Sequence, residues 1–399
     1  MTDIVIDSVS KYLEVLKNKD LANAYYRGEP RKYDNIAAAC YRNNFADYDN
    51  FIIEDMIEDY FFNMSEQLTD LEKQNFLAYS QHHGLPTNLL DITLNSLVAL
   101  YFASSNNEDD VGYVHIFKED RFIECQKLIS GTKIDYIYNS ILEKTEARII
   151  IFEALKNNYL RYRLPFLDKL EEIINQFIEV KNPVGIKLDE KELSEVKVAF
   201  RWFKSNKKSI VEDPDKIKKL TETMLKENKS ENLTCWRNIY RNIDDALVDH
   251  GKKSYFRVDI IIKVYLATFI YLLNHSYNYN YELPNFPLIL YKPDASFDRM
   301  KLQSGRFIYQ NVFYWFVYDY VRNNNVCHYT QKIIPDFSIK ISNKANILKE
   351  LDLIGINKLT LFNDPDNIAD YIYKKHKNKK TNKNLYDDFY SIYPIDYNN

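Results

Sequence analysis

Gln81-His82-His83-Gly84-Leu85-Pro86-Thr87-Asn88-Leu89-Leu90-Asp91-Ile92-Thr93-Leu94-Asn95-Ser96-Leu97-Val98-Ala99-Leu100-Tyr101-Phe102-Ala103 is the stretch on which the reading of this 399-residue chain turns. It carries two periodicities in succession. Residues 70–82 place apolar side chains three and four apart and predict a helix that gives way at Gly84 and Pro86. Leu89–Thr93 predicts a short strand, and about Leu94–Ser104 a helix with Leu97, Leu100 and Tyr101 as packing positions. Asp91 and Thr93 immediately precede that helix, and either suits its N-cap. A helix N-terminus also attracts anions, so capping and ligand binding are compatible there.

Outward from this stretch, residues 4–20 predict an amphipathic helix through Val9, Tyr12, Leu13 and Leu16, and Asn23–Arg27 a short strand ending at Gly28. Residues 50–62 read as a helix, Asn106–Asp110 as a polar turn and Gly112–Phe117 as a strand. From 131 to about 280 glycine and proline almost vanish, and helical patterns run over 140–180, 190–206, 213–227 and 236–275. A turn-rich stretch holds Pro284, Pro287 and Pro293; then come Arg299–Gln310, the aromatic run Phe313–Tyr320, and a strand at Ile333–Ile341. Lys344–Leu353 predicts a helix stopped by Gly355 at C′. The expected organisation is 1–130, a helical insertion or subdomain over 131–283, a return to the first unit over 284–373, and a basic then acidic-aromatic tail over 374–399.

A hydrophobic fraction of 46% beside 28% charged residues is that of a soluble globular chain. With only 8 glycines, each is expected where the backbone requires one. A net charge of −4 gives no global argument for nucleic-acid binding. Cys40, Cys125, Cys235 and Cys327 are far apart, which excludes an evident zinc knuckle and suits free, buried thiols in a reducing cytosol. The acidic start, Met1 to Asp7, lacks a basic n-region, and Val264–Leu273 is too short to span a bilayer. The expectation is a cytoplasmic protein with no membrane partner.

Several side chains invite chemistry. Arg27 before Gly28 offers a guanidinium fork suited to phosphate, with Glu29 as its alternative, internal partner. His82 and His83 project in different directions, so at most one faces a site, as an acid–base or ribose-binding group; capping or core packing is the alternative. Gln303 reads equally as a catalytic amide or a buried one. No third ligand is spaced to make a metal site with the histidines.

The quoted central run resembles the signature of the FRG-domain family, and Tyr26-Arg27-Gly28 its aromatic-Arg-Gly element. Arg299-Met300-Lys301-Leu302-Gln303-Ser304-Gly305-Arg306-Phe307 is similar to the family's R-x-x-x-Q-x-G-x-F segment, and Gly355 to Tyr371 to its closing elements. Asn88 stands where an Arg is usual, and Ile92 where a Trp is usual. The order of elements is in turn similar to that of Arg-Ser-Glu type ADP-ribosyltransferases. These resemblances imply an α+β fold, a small split mixed sheet built from 20–130 and 284–373 around a large helical insertion. They imply NAD as substrate without a metal, and an effector in bacterial toxin or phage-defence function. Gln303, His83 and Thr93 are then the expected catalytic residues. Tyr26, Arg27, Gly28, Glu29, Gln81, His82, Thr87, Asp91 and Arg299 are the expected ligand-binding residues. The acceptor would be a protein or a nucleic acid, and the helical region would face a partner protein. A non-catalytic nucleotide sensor is the second reading. A nucleic-acid-directed toxin, suggested by the lysines of 374–383 and of Lys204–Lys219, is the third.

Overall fold

The computed structural model describes residues 4–42, 51–105, 110–129, 137–162, 231–249, 286–294, 298–317, 325–362 and 364–379, with single positions between 259 and 273. Eight strands form the main sheet: β1 (Ile4–Ile6), β2 (Ala24–Glu29), β3 (Leu89–Thr93), β4 (Gly112–Lys118), β5 (Phe122–Glu124), β6 (Leu288–Tyr291), β7 (Gly305–Tyr309) and β10 (Phe337–Ile341). Their spatial order is β1-β10-β4-β2-β3-β7-β6-β5. The β1–β10 and β5–β6 pairs run parallel and the others antiparallel, so the sheet is mixed and the class α+β. Two further strands, β8 (Val312–Val317) and β9 (Asn325–Thr330), make a separate antiparallel pair. The sheet is larger than expected, because β1 joins one edge and β5 with β6 the other.

The expected single helix over 4–20 is divided. Ile4–Ile6 pair with Ile339–Ile341 in β10, and helix α1 (Val9–Asn18) begins only after Ser8, whose side chain accepts from the Lys11 amide. Val9, Tyr12 and Leu16 are its buried positions, the i, i+3, i+7 pattern that the sequence displays. Helix α2 (Phe51–Met64) follows as expected. The helix expected over 70–82 is two: α3 (Asp70–Gln74) and α4 (Phe76–His82). Asn75 parts them. Its amide donates to the Leu71 carbonyl, and its side-chain oxygen accepts from Tyr291 and from the Asp294 amide. Asparagine competes with helix geometry through such local bonds.

Helix α5 (Ser96–Ser104) begins two residues later than expected, and neither Asp91 nor Thr93 caps it. Asn95 does, accepting from the Leu97 amide. The helix lies directly on the sheet at two glycines. A Cβ on Gly28 would meet the Ala99 carbonyl oxygen at 1.9 Å, and one on Gly112 the Ala103 carbonyl oxygen at 1.9 Å. Ala99 and Ala103 are four apart, hence on one helix face. Gly28 is therefore a close-approach glycine inside β2, paired with Val114, rather than the end of the strand.

Each face of the sheet has its own core, as adjacent strand residues point to opposite faces. Tyr26 and Ile116 join α1, α5 and the helix Lys344–Leu353 in one cluster. Tyr25 and Phe117 join the other, with α2, α4, α6 (Ile137–Glu143), α7 (Thr145–Tyr162) and the helix Glu231–Asp249. Ile151, Phe152, Leu155 and Ile243 thus share a core with Leu288 and Ile289, and Asn158 donates to the Asp120 and Phe122 carbonyls at 3.1 and 2.7 Å. The described helices of the 131–283 segment share this core, α7 lying against β5 and the helix Glu231–Asp249 against α7. The expected helical runs at 190–206 and 213–227 lie outside the described residues. Lys344–Leu353 ends as expected: Gly355 (φ +83°) donates to the Asp352 carbonyl and Ile356 to that of Leu351. Among the described residues no helix is long and apolar enough to cross a membrane.

Candidate ligand-binding site

Strands β2 and β3 share a single ladder pair, Tyr26 with Thr93. Beyond it they part, and a cavity of about 300 Å³ opens between Arg27 and Gly28 on one side and Asp91 and Ile92 on the other. Val98 and Phe102 of α5, Ala78, Gln81 and His82 of α4, and the segment Arg299–Phe307 complete its walls. This is the low end of small-molecule site volumes, roughly 300–1,000 Å³.

Arg27 spans the opening. Its Nη1 donates to the Asp91 carbonyl at 2.8 Å, where a continuing sheet would place a backbone amide. Its Nε donates to Glu29 Oε1 at 2.8 Å, so the internal ion pair weighed from sequence is present. Glu29 does not line the cavity. It is 2% exposed, and its second oxygen lies 3.2 Å from His115 Nε2, whose Nδ1 is 2.8 Å from Ser338 Oγ. Burial alone would raise the Glu29 pKa; the His115 hydrogen bond and the Arg27 charge outweigh it and hold the carboxyl below its ordinary value. His115 was not legible as a site residue. It faces Arg27 only through the β2–β4 register, Arg27 opposite His115.

The central run is organised by Gln81 and Thr87. Thr87, fully buried and outside the cavity, donates its hydroxyl to Gln81 Oε1 at 2.6 Å and accepts from the Leu89 amide. This turns the Gln81 amide nitrogen towards the Leu89 carbonyl and Asp91 Oδ2, each at 3.3 Å. His82 lines the cavity; His83 does not, being exposed and packed 4.4 Å from the Tyr79 ring. Helix α4 ends at His82, and His83 is its C-cap, outside the lining residues. Burial, then the charges of His83 and Arg299, push the His82 pKa below its ordinary value, so its imidazole is neutral at pH 7. Tyr26 borders the cavity, while its hydroxyl donates to the Leu21 carbonyl.

Thr93 and Gln303 meet, but by a structural bond. The Thr93 hydroxyl donates to the Gln303 backbone carbonyl at 2.6 Å and accepts from the Asn95 amide at 2.9 Å. Gln303 lies in the turn between the helix Asp298–Leu302 and β7, and its amide donates to the Leu361 carbonyl at 3.0 Å. The turn is tight: Ser304 has φ +49°, and a Cβ on Gly305 would press on Met300 Cγ at 3.0 Å. Arg299 stacks over Phe362 at 4.7 Å, and Phe362 meets Phe102 edge-on at 6.1 Å, so the chain after Gly355 packs against two of the lining residues. Arg306, given no role from sequence, also lines the cavity. Its Nη1 donates to the Gly305 carbonyl at 2.6 Å, and its Nε is buried with no hydrogen-bond partner among the described residues.

Of the twelve expected site residues, nine line this cavity; Glu29 and Thr87 stand behind it and His83 beside it. Residues 22–111 match the FRG domain. The chain carries an FRG domain. The comparisons with curated proteins and with solved structures give no match. The FRG domain holds β2, β3, α4 and α5, while Arg299, Gln303 and Arg306 come from outside the matched residues and close the same cavity. No group of three or more His, Cys, Asp or Glu placed to hold a metal occurs among the described residues. Cys40 and Cys125 are buried thiols whose pKa is pushed well up by burial.

Proposed function

We propose that this cavity binds a nucleotide through its phosphates, that the nucleotide is NAD, and that the nicotinamide–ribose bond is broken beside Asp91. The charge inventory carries the reading. Arg27, Arg299 and Arg306 face a space in which Asp91 is the one carboxylate among the described lining residues. Guanidinium groups match phosphate oxygens in geometry and charge. NAD pairs a diphosphate with a cationic pyridinium, so a wall of arginines and a single carboxylate suit its two ends. The cavity volume admits one end of the dinucleotide, with the remainder along the rim at Arg299.

In the proposed reaction the C1′–N bond breaks and its electron pair leaves with nicotinamide. Positive charge develops at the ribose, where the Asp91 carboxylate stabilises it electrostatically. Water or an acceptor nucleophile then bonds to C1′ and gives up its proton to Asp91 or solvent. Consumption of NAD in this way is the activity of a bacterial toxin or a phage-defence effector. The reading of the chain as a nucleotide sensor without turnover has one observation in its favour: the Thr93 hydroxyl and the Gln303 amide nitrogen are both committed to backbone groups. The nucleic-acid reading has less support. Lys374 is paired with Asp370, and the Lys204–Lys219 cluster lies outside the described residues.

The test is incubation of the full chain with NAD labelled in both halves, wild type beside Asp91→Asn. Nicotinamide release by wild type, reduced about 10²-fold or more in a variant that still binds NAD, is the expected result. NAD binding without release over a long incubation favours the sensor, and neither binding nor release ends both readings.

A further inference from the structure

The three arginines of the cavity are not equivalent. Arg27 is neutralised within the protein: its pair with Glu29 is 2.8 Å long, and the two side chains are 10% and 3% exposed. The pair is braced from behind. Arg27, His115 and Ser338 lie side by side across β2, β4 and β10, so Glu29 is held by Arg27 on one oxygen and His115 on the other. Arg42 adds a positive charge on this side, within reach of the Glu29 and Asp91 carboxylates. Arg299 is exposed and spread over Phe362, with Asp364 close enough to feel its charge, so water screens it.

Arg306 is in a different state. It is partly buried and its Nε has no access to water. It makes no ion pair among the described residues, and its one hydrogen bond goes to the neighbouring Gly305 carbonyl. A partly buried guanidinium with no ion pair and one unanswered nitrogen is a ready partner for an anion. Arg306 borders the cavity, so an anion held there would supply that partner.

We infer that Arg306, rather than the conspicuous Arg27, anchors the ligand's phosphate charge. This rests on the nucleotide reading above and divides its labour. Arg27, already balanced by Glu29, fixes the split between β2 and β3 and offers Nη2 as a hydrogen-bond donor. Arg306 holds the anion. The chemical class it selects is a diphosphate or a nucleotide bearing one.

The experiment is calorimetric titration of the full chain with inorganic diphosphate and with ADP-ribose, together with thermal unfolding without ligand. Three proteins are compared: wild type, Arg306→Gln, and the paired variant Arg27→Gln/Glu29→Gln, which leaves no buried charge alone. The expected result is that Arg306→Gln weakens both ligands by about tenfold or more. The paired variant should weaken diphosphate by a clearly smaller factor than Arg306→Gln does. Without ligand, Arg306→Gln should melt at the same temperature as wild type or higher, since it removes an uncompensated charge. The assignment is overturned, with the nucleotide reading intact, if wild type binds both probes and Arg306→Gln binds them equally well. If wild type binds neither probe, the nucleotide reading falls and the assignment with it.

Discussion

The two walls of the cavity are built on opposite principles. On the β2 wall every conspicuous polar group is answered by another: Arg27 by Glu29 and the Asp91 carbonyl, Glu29 by His115, His115 by Ser338. On the β7 wall the polar groups of the turn are latched to backbone, yet Arg306 keeps a buried nitrogen unanswered. The first wall is pre-organised structure. The second carries the charge that structure alone does not satisfy. A motif that stands out in a sequence can owe this to folding demands, and the ligand-directed group can sit in a plainer segment.

If the β2 wall is structural, its substitutions should act on stability. The largest effect is expected at Gly28→Val, where a side chain would drive into the α5 backbone. A loss above about 4 kcal/mol, read by urea unfolding or by failure to accumulate as soluble protein, is the expected outcome. Glu29→Ala leaves Arg27 and His115 buried without their carboxylate and should cost about 3 kcal/mol. An unchanged urea midpoint would remove the contrast between the walls. On the β7 side, Thr93→Val keeps the shape and deletes the latch to Gln303 and the Asn95 amide; about 2 kcal/mol is expected there.

Acid should expose the same pair. The Glu29 pKa is lowered in the folded protein, so its contribution is complete above the ordinary value of 4.5 and is lost as pH falls through the folded value. Wild type should lose stability more steeply than Glu29→Gln in that range. The smallest effect concerns His82, a base whose folded pKa is depressed. Its contribution is present above 6.5 and lost as pH falls through the folded value, so His82→Gln should flatten the stability profile there.

Local features were legible in advance because local chemistry fixes them. Leu89–Thr93 is a short apolar run bounded by turn residues and forms a strand, and Gly355 supplies the left-handed residue that stops Lys344–Leu353. What failed to show depended on distant partners. Ile4–Ile6 is too short to announce a strand and becomes one only beside β10. Thr93 has the composition of an N-cap, but its hydroxyl is drawn to the Gln303 carbonyl, and Asn95 takes the cap. Gly28 looked like a strand end because the closeness of Ala99 is a property of packing. Nine of the expected residues line one cavity, since they lie in or beside recognisable motifs. The surroundings of Arg27 and Arg306 were not legible, because they depend on which carboxylate stands near which guanidinium.

The measurement that reaches the central claim most directly is titration of the full chain with ADP-ribose and, separately, with adenosine. The account predicts that ADP-ribose binds and that adenosine, lacking phosphate, binds at least about tenfold more weakly. Equal binding of the two, or binding of neither, would contradict it.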